Sequence, residues 1–158
     1  MREYRPIRID RPGERGLTLV ELMISVAILM LLASAAYPVV FFQVKRQNER
    51  ELHYDLWTMR AAIDKYKDAA DNHAFQIKVD SNGYPPDLET LVKGVEVQTK
   101  NVKFLRRIPV DPMTGKAEWG YRSMQDAPDS TSYGGQSVFD VYTKSTGKAL
   151  DGTKYADW

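Results

Sequence analysis

The 158-residue sequence contains no cysteine and only two histidines, His53 and His73. The lack of cysteine excludes disulfide frameworks, thiolate metal sites and cysteine nucleophiles. No H-E-x-x-H or three-ligand metal pattern accompanies the histidines, and the sequence has neither a P-loop nor a G-x-S-x-G nucleophile elbow. We therefore expect a protein that is not an enzyme.

A surplus of either charge is also absent, since 22 Lys and Arg face 21 Asp and Glu. This balance argues against a nucleic-acid partner, because such binding relies on basic side chains that neutralise phosphates. The mean hydropathy of −0.45 hides a strong asymmetry along the chain. Residues 1–16 are polar and carry five arginines, residues 17–42 contain Glu21 as their one charged residue, and no long apolar run follows.

The apolar run is long enough to cross a membrane. From Leu22 to Phe42 it has no charged residue, and as a helix this stretch measures about 31 Å, close to the thickness of a bilayer core. Three interpretations compete: a cleaved secretory signal, a plain membrane anchor and a membrane-stored assembly helix. Ala33-Ser34-Ala35 fits the signal-peptidase pattern. The apolar run continues beyond that point to Phe42, which disfavours the signal.

Glu21 is the feature that distinguishes these interpretations. A carboxylate inside a membrane span costs about 2–3 kcal/mol or more, and such groups usually mark function. No Lys, Arg or His lies between Leu17 and Phe42 to neutralise it. Cleavage after Gly16 would create a new α-ammonium at Leu17, which pairs either with Glu21 of the same chain or with Glu21 of a neighbouring subunit. The second pairing would fix the register in which subunits assemble.

The segment Gly16-Leu17-Thr18-Leu19-Val20-Glu21 resembles the processing site of the type IV pilin-like proteins. The resemblance implies that a membrane prepilin peptidase cuts between Gly16 and Leu17 and methylates the new amine of Leu17. Thr18 and Glu21 are then the expected assembly residues. Pro38 falls at the twenty-second position of the cleaved chain, where helices of this family commonly kink.

Beyond the span, a helical stripe predicts that the helix continues to about residue 71. Its members recur at intervals of three and four residues: Leu52, Leu56, Met59, Ile63, Tyr66 and Ala70. We expect this stripe to pack on the protein's own globular part. A short helix is predicted at residues 87–92, a turn at 108–115, and strands at 119–123 and 138–143. The fold class is therefore α+β, with one long N-terminal helix on a small antiparallel sheet.

The predicted organisation has four parts: a leader (1–16), a transmembrane and assembly helix (17–42), its amphipathic continuation (43–71) and a globular head (72–158). The segments 83–92, 108–112 and 139–143 and a late Asp-Gly resemble the major pseudopilins of type II secretion systems. The lack of cysteine agrees, because many true type IV pilins close a C-terminal loop with a disulfide.

This resemblance implies a homo-oligomeric, periplasmic filament that drives protein export. The precursor would reside as a single-pass protein in the bacterial inner membrane. Its expected partners are the prepilin peptidase, minor pseudopilins and an inner-membrane assembly platform. The alternatives are a surface type IV pilus for adhesion, motility or DNA uptake, and a secreted or anchored binding domain.

The resemblance also implies a structural calcium ion in the C-terminal loop. Asp151 and Asp157 are the candidate side-chain ligands, together with backbone carbonyls of residues 144–150. Spacing alone does not support the ion, because the regular acidic ladder of a dedicated calcium loop is missing. Without the ion, Tyr155 and Trp158 would fasten the tail by packing on the sheet.

Overall fold

The computed structural model describes residues 16–78 and 81–158. Residues 1–15 of the predicted leader therefore lie outside the described residues. The chain divides into two compact units, Met1–Phe41 and Phe42–Trp158. One long helix and small antiparallel sheets make up the regular structure of the described residues, which confirms the α+β fold class.

Helix α1 runs from Leu19 to Asp71 and contains Pro38 as an internal proline. It begins at Leu19 because Thr18 caps it: the Thr18 hydroxyl accepts a hydrogen bond from the Glu21 N–H at 3.2 Å. No glycine interrupts the following 53 residues. In the first unit, every large hydrophobic side chain of α1 among the described residues is exposed.

In the second unit, the predicted stripe of α1 forms the core, which confirms that part of the helix prediction. Leu52, Met59 and Ile63 have no exposed surface, and Leu56, Tyr66 and Ala70 are buried as well. They pack against residues from later in the chain: Leu88, Leu91, Trp119, Val138 and Val141. The amphipathic half of α1 is thus the central element of its own globular unit.

Helix α2 spans Leu88–Lys93, close to its predicted position. Its N-cap is Asp87, whose carboxylate accepts the Thr90 N–H at 2.7 Å. Gly94 ends the helix with a φ of 85°. A β-carbon there would lie 2.6 Å from the Val102 carbonyl oxygen, so glycine is required by both conformation and space.

Within residues 16–78 and 81–158, four short strands form two separate antiparallel pairs. Strands β1 (Val95–Val97) and β2 (Lys100–Val102) make one hairpin, and β3 (Trp119–Arg122) pairs with β4 (Asp140–Thr143) in the other sheet. The β1–β2 hairpin was not predicted. The segment expected to be a strand from residue 138 enters the ladder only at Asp140, because the Val138 N–H bonds the Pro85 carbonyl at 2.7 Å instead.

The predicted turn at 108–115 is present and connects to β4 through a buried carboxylate. Asp111 is fully buried. Its side chain accepts hydrogen bonds from the Met113 N–H at 2.8 Å and the Thr143 hydroxyl at 2.5 Å. This turn therefore holds the end of β4 in place. Beyond β4, the C-terminal segment (residues 144–158) ends in a 3₁₀ helix, Tyr155–Asp157.

Candidate functional site at the helix N-terminus

The predicted cleavage site lies in the short non-helical stretch before α1. Gly16, Leu17 and Thr18 precede the first helical residue and are all exposed, with 70% of the Leu17 surface accessible. Among the described residues, apart from its direct chain neighbours, no atom lies within 4 Å of the position that a β-carbon on Gly16 would take. The Gly16–Leu17 peptide bond therefore lies outside the helix, between two exposed residues.

Glu21 occupies the first turn of α1, three residues after the capping threonine. The T-x-x-E spacing is that of a capping box, and the structure contains its first half, the bond from the Glu21 N–H to the Thr18 hydroxyl. The Glu21 carbonyl accepts the Ser25 hydroxyl at 2.7 Å. This contact uses the backbone N–H of Glu21 and leaves its carboxylate free of Thr18, so the predicted pairing of that carboxylate with the Leu17 amine of a neighbouring subunit stays a prediction.

The Glu21 carboxylate is exposed, and no described residue forms an ion pair with it. A negative charge in the first turn is favourable for the helix, because the partial charge at the N-terminus is positive. This local effect is small compared with the cost of moving the carboxylate into hydrocarbon. The geometry leaves the carboxylate available to a cationic group on the same or another chain.

The helix that carries Glu21 is apolar enough to cross a membrane. Within α1, an 18-residue window has a mean hydropathy of 2.3, and none of that window is buried. It is the one such helix in the described part of the chain. Pro38 lies within α1 and supplies no N–H to the helical hydrogen bonds.

The second unit contains the two predicted calcium ligands but does not bring them to one site. Asp151 accepts hydrogen bonds from the N–H and the hydroxyl of Thr153 at 2.9 and 2.6 Å. The Thr153 hydroxyl is the main cause that lowers the pKa of Asp151. Its pocket is also lined by three basic side chains, Arg46, Arg50 and His53.

Asp157 lines a different pocket, beside Arg60 and Arg122, and the two pockets share only Trp158. Across residues 16–78 and 81–158, no group of three or more acidic, His or Cys side chains is arranged to hold a metal ion. The donors therefore do not fit a calcium ion shared by Asp151 and Asp157. Calcium binding stays a prediction from the resemblance, and measurement has to decide it.

Contacts that sequence reasoning missed attach the C-terminal segment to α1. Glu49 accepts hydrogen bonds from the Leu150 N–H and the Tyr155 hydroxyl, both at 2.9 Å. The His53 ring stacks on Trp158 with their centroids 4.0 Å apart. Tyr155 and Trp158 do fasten the tail, but partly through polar and aromatic contacts with the helix. More than a hundred residues separate Glu49 from Tyr155, so no local pattern could have indicated the pair.

Known proteins are similar to this chain both in the N-terminal segment and over most of its length. Residues 11–37 match the family described as the prokaryotic N-terminal methylation motif. The chain is 31% identical over 143 residues to the type II secretion system core protein G of Pseudomonas aeruginosa, covering 85% of each chain. It is 29% identical over 107 residues to the proteins of that name from Pectobacterium carotovorum and Klebsiella pneumoniae. Those alignments cover 63% of this chain and 62% and 69% of the relatives. No solved structure matches the chain.

Proposed function

The chain belongs to the family of type II secretion system core protein G, and on this basis we propose that it is the main structural subunit of a periplasmic pseudopilus. Its role would be mechanical and not catalytic. The subunit would be stored in the inner membrane by the apolar part of α1, with its second unit in the periplasm. Processing would release it for assembly on the inner-membrane platform, with minor pseudopilins as further partners.

The observation that carries the proposal is the arrangement at the start of α1. An exposed, non-helical Gly16–Leu17 bond lies directly before a capped helix whose first turn contains the one charge of the apolar segment. A prepilin peptidase would cut this bond and methylate the amine of Leu17. Since Thr18 precedes the helix, the cut removes no residue of α1.

The Glu21 carboxylate, which is costly to bury in the membrane, would be used in assembly. In the filament, the Glu21 carboxylate of one subunit would accept the Leu17 ammonium of a neighbour, which neutralises both groups. Removal of one partner from a buried ion pair costs about 3–5 kcal/mol because the other charge stays buried and unpaired. Only the register that pairs these groups is then favourable, so that one contact both orders and stabilises the filament.

Growth of such a filament would drive folded proteins toward an outer-membrane channel. The test is a Glu21→Ala substitution in the native host, scored for leader cleavage, for filaments and for protein export. We expect normal cleavage but loss of filaments and export, since about 3–5 kcal/mol corresponds to a hundredfold or larger change in an assembly equilibrium.

Ser34→Ala is a matched control, because Ser34 is an exposed polar residue of the same apolar segment whose hydroxyl donates to the local Leu31 carbonyl at 2.7 Å. It should assemble and export normally. Normal filaments from Glu21→Ala would refute the pairing mechanism. Export that continues after deletion of the whole gene, with surface fibres lost instead, would identify a type IV pilus subunit and overturn the secretion role.

A further inference from the structure

Five hydrogen-bond-accepting groups lie where α1, the β3–β4 sheet and the C-terminal segment meet. They are four main-chain oxygens and one carboxylate, supplied by Ser130, Val141, Ala156, Trp158 and Asp140. Such a set of carbonyl and carboxylate oxygens is the kind of environment that a hard divalent cation prefers. In this protein, two guanidinium groups donate to all five.

Arg60 of α1 provides the first of these groups. Its Nε lies 2.6 Å from Asp140 Oδ1, and its Nη2 lies 2.8 Å from the main-chain oxygen of Trp158. The same nitrogen reaches the Val141 carbonyl at 3.2 Å. Arg60 thus joins the helix to β4 and to the last residue of the C-terminal segment.

Arg122 of β3 provides the second group and is 4% exposed. Its Nη2 donates to the Ala156 carbonyl at 2.8 Å and its Nε to the Ser130 carbonyl at 3.0 Å. The guanidinium carbon lies 4.2 Å from the centre of the Tyr142 ring, a cation–π contact with a residue of β4. Gly120 makes room for that ring, since a β-carbon there would lie 2.2 Å from it.

Both arginines share the carboxylate of Asp140. Arg122 Nη1 lies 3.5 Å from Asp140 Oδ2, the oxygen that also accepts from Arg60 Nη2 at 3.3 Å. A guanidinium is always charged and presents several donors in a fixed plane, so it can satisfy acceptors from separate segments at once. A divalent cation at this place would lie beside two fixed positive charges and would compete for oxygens that are already bonded.

We propose that Arg60 and Arg122 hold the C-terminal segment against α1 and the β3–β4 sheet in place of a divalent cation. The fold of this unit then needs no calcium. The competing occupant is a cation in the pocket of about 220 Å³ beside this cluster, which Asp126, Asp140 and Asp157 line together with both arginines. The Ser123 hydroxyl lines the same pocket, and it is buried without a hydrogen-bond partner among the described residues.

The test compares the melting temperature of the full chain in detergent with chelator and with about 5 mM calcium, above the range in which extracellular calcium modules bind. We expect no shift between the two conditions. A calcium site of that affinity would raise the melting temperature by about 5 °C, and such a rise would overturn the proposal.

Substitutions of the two arginines test their role directly. The measurement is the rate at which trypsin cleaves the C-terminal segment after Lys148 and Lys154. Arg122→Ala should accelerate this cleavage at least tenfold, and calcium should not restore protection. Arg106→Ala, which removes an exposed arginine, should behave as the unmodified chain. If Arg122→Ala does not fold, Arg60→Lys answers the same question, because lysine keeps the charge but loses the planar set of donors. A segment that stays fully protected in the arginine variants would contradict the proposal.

Discussion

At the scale of single residues, the attachment of the tail depends on polar side chains whose partners are distant in sequence. Tyr155 is 4% exposed, and its hydroxyl donates to Glu49 on α1. Burial, reinforced by the hydrogen bond and the negative charge of Glu49, raises the pKa of Tyr155 to about 12. The neutral phenol is therefore the form that the folded protein favours.

A pH dependence of stability follows from this residue. An unfolded tyrosine has a pKa of about 10, so the stabilisation is complete below that pH and is lost as the pH rises through the folded value. Tyr155→Phe should lower the free energy of unfolding by about 1–2 kcal/mol at neutral pH, because the hydrogen bond to a carboxylate is lost. The difference from the unmodified chain should shrink above about pH 10, as measured by denaturant unfolding across this range.

Burial also raises the pKa values of three other tyrosines: Tyr66, Tyr121 and Tyr133. Because both chains contain these residues, their effect on the free energy of unfolding cancels when the variant is compared with the unmodified chain at each pH. Tyr54→Phe is the control, since Tyr54 is 65% exposed and should show no gap at any pH. A gap for Tyr155→Phe that stays constant from neutral to strongly alkaline pH would mean that the phenol is not the titrating group.

At the scale of elements, α1 has one buried face and one exposed face within the second unit. Leu56 is 1% exposed, whereas its neighbour Trp57 is 67% exposed. Leu56→Ala should reduce the free energy of unfolding by about 2–5 kcal/mol, because it removes apolar contacts and leaves a cavity. Trp57→Ala should change it by less than about 0.5 kcal/mol despite removing a larger side chain.

Chemical denaturation of the full chain in detergent, followed by circular dichroism, measures both variants. Equal losses of stability from the two substitutions would show that the face carrying Trp57 is packed and that the assignment of faces is wrong. The two residues are adjacent on the same helix, so differences in helix propensity are small compared with the expected contrast.

The elements that sequence predicted best are those with a long periodic signal. The stripe from Leu52 to Ala70 repeats over five turns of α1, and the structure buries all of it. The β1–β2 hairpin escaped prediction because its strands are three residues long and its turn uses Gln98 at a φ of 58°, where glycine or asparagine is usual. All of β2 is exposed, so no alternation of apolar and polar residues marks it.

The candidate site likewise has a part that could be predicted from the sequence and a part that could not. Thr18 and Glu21 are three residues apart, and their contact follows from a local capping pattern. The attachment of the tail joins residues such as Arg60 and Asp140, which are eighty positions apart, and only the folded chain brings them together. Sequence therefore predicts the local part of the site but not the part made by tertiary contacts.

At the scale of the whole molecule, the two units have separate roles in the proposed function. The first contains the predicted cleavage site, the capped start of α1 and an exposed apolar surface, and no described residue forms an ion pair with its Glu21. The second has its own core and its own attachment of the C-terminal segment. Both contain part of α1, and in the proposed function only the first contains the bond that is processed.

Mass spectrometry of the mature chain purified from its host membrane tests the central claim most directly. A processed filament subunit should begin at Leu17 and carry one methyl group on its amine, and a free leader of residues 1–16 should accompany it. A Gly16→Val substitution should leave the precursor uncut and serves as the control for processing at that bond. A mature chain that begins at Ala36, after a signal-peptidase cut, or that retains Met1 at full abundance, would contradict the assignment as a processed filament subunit.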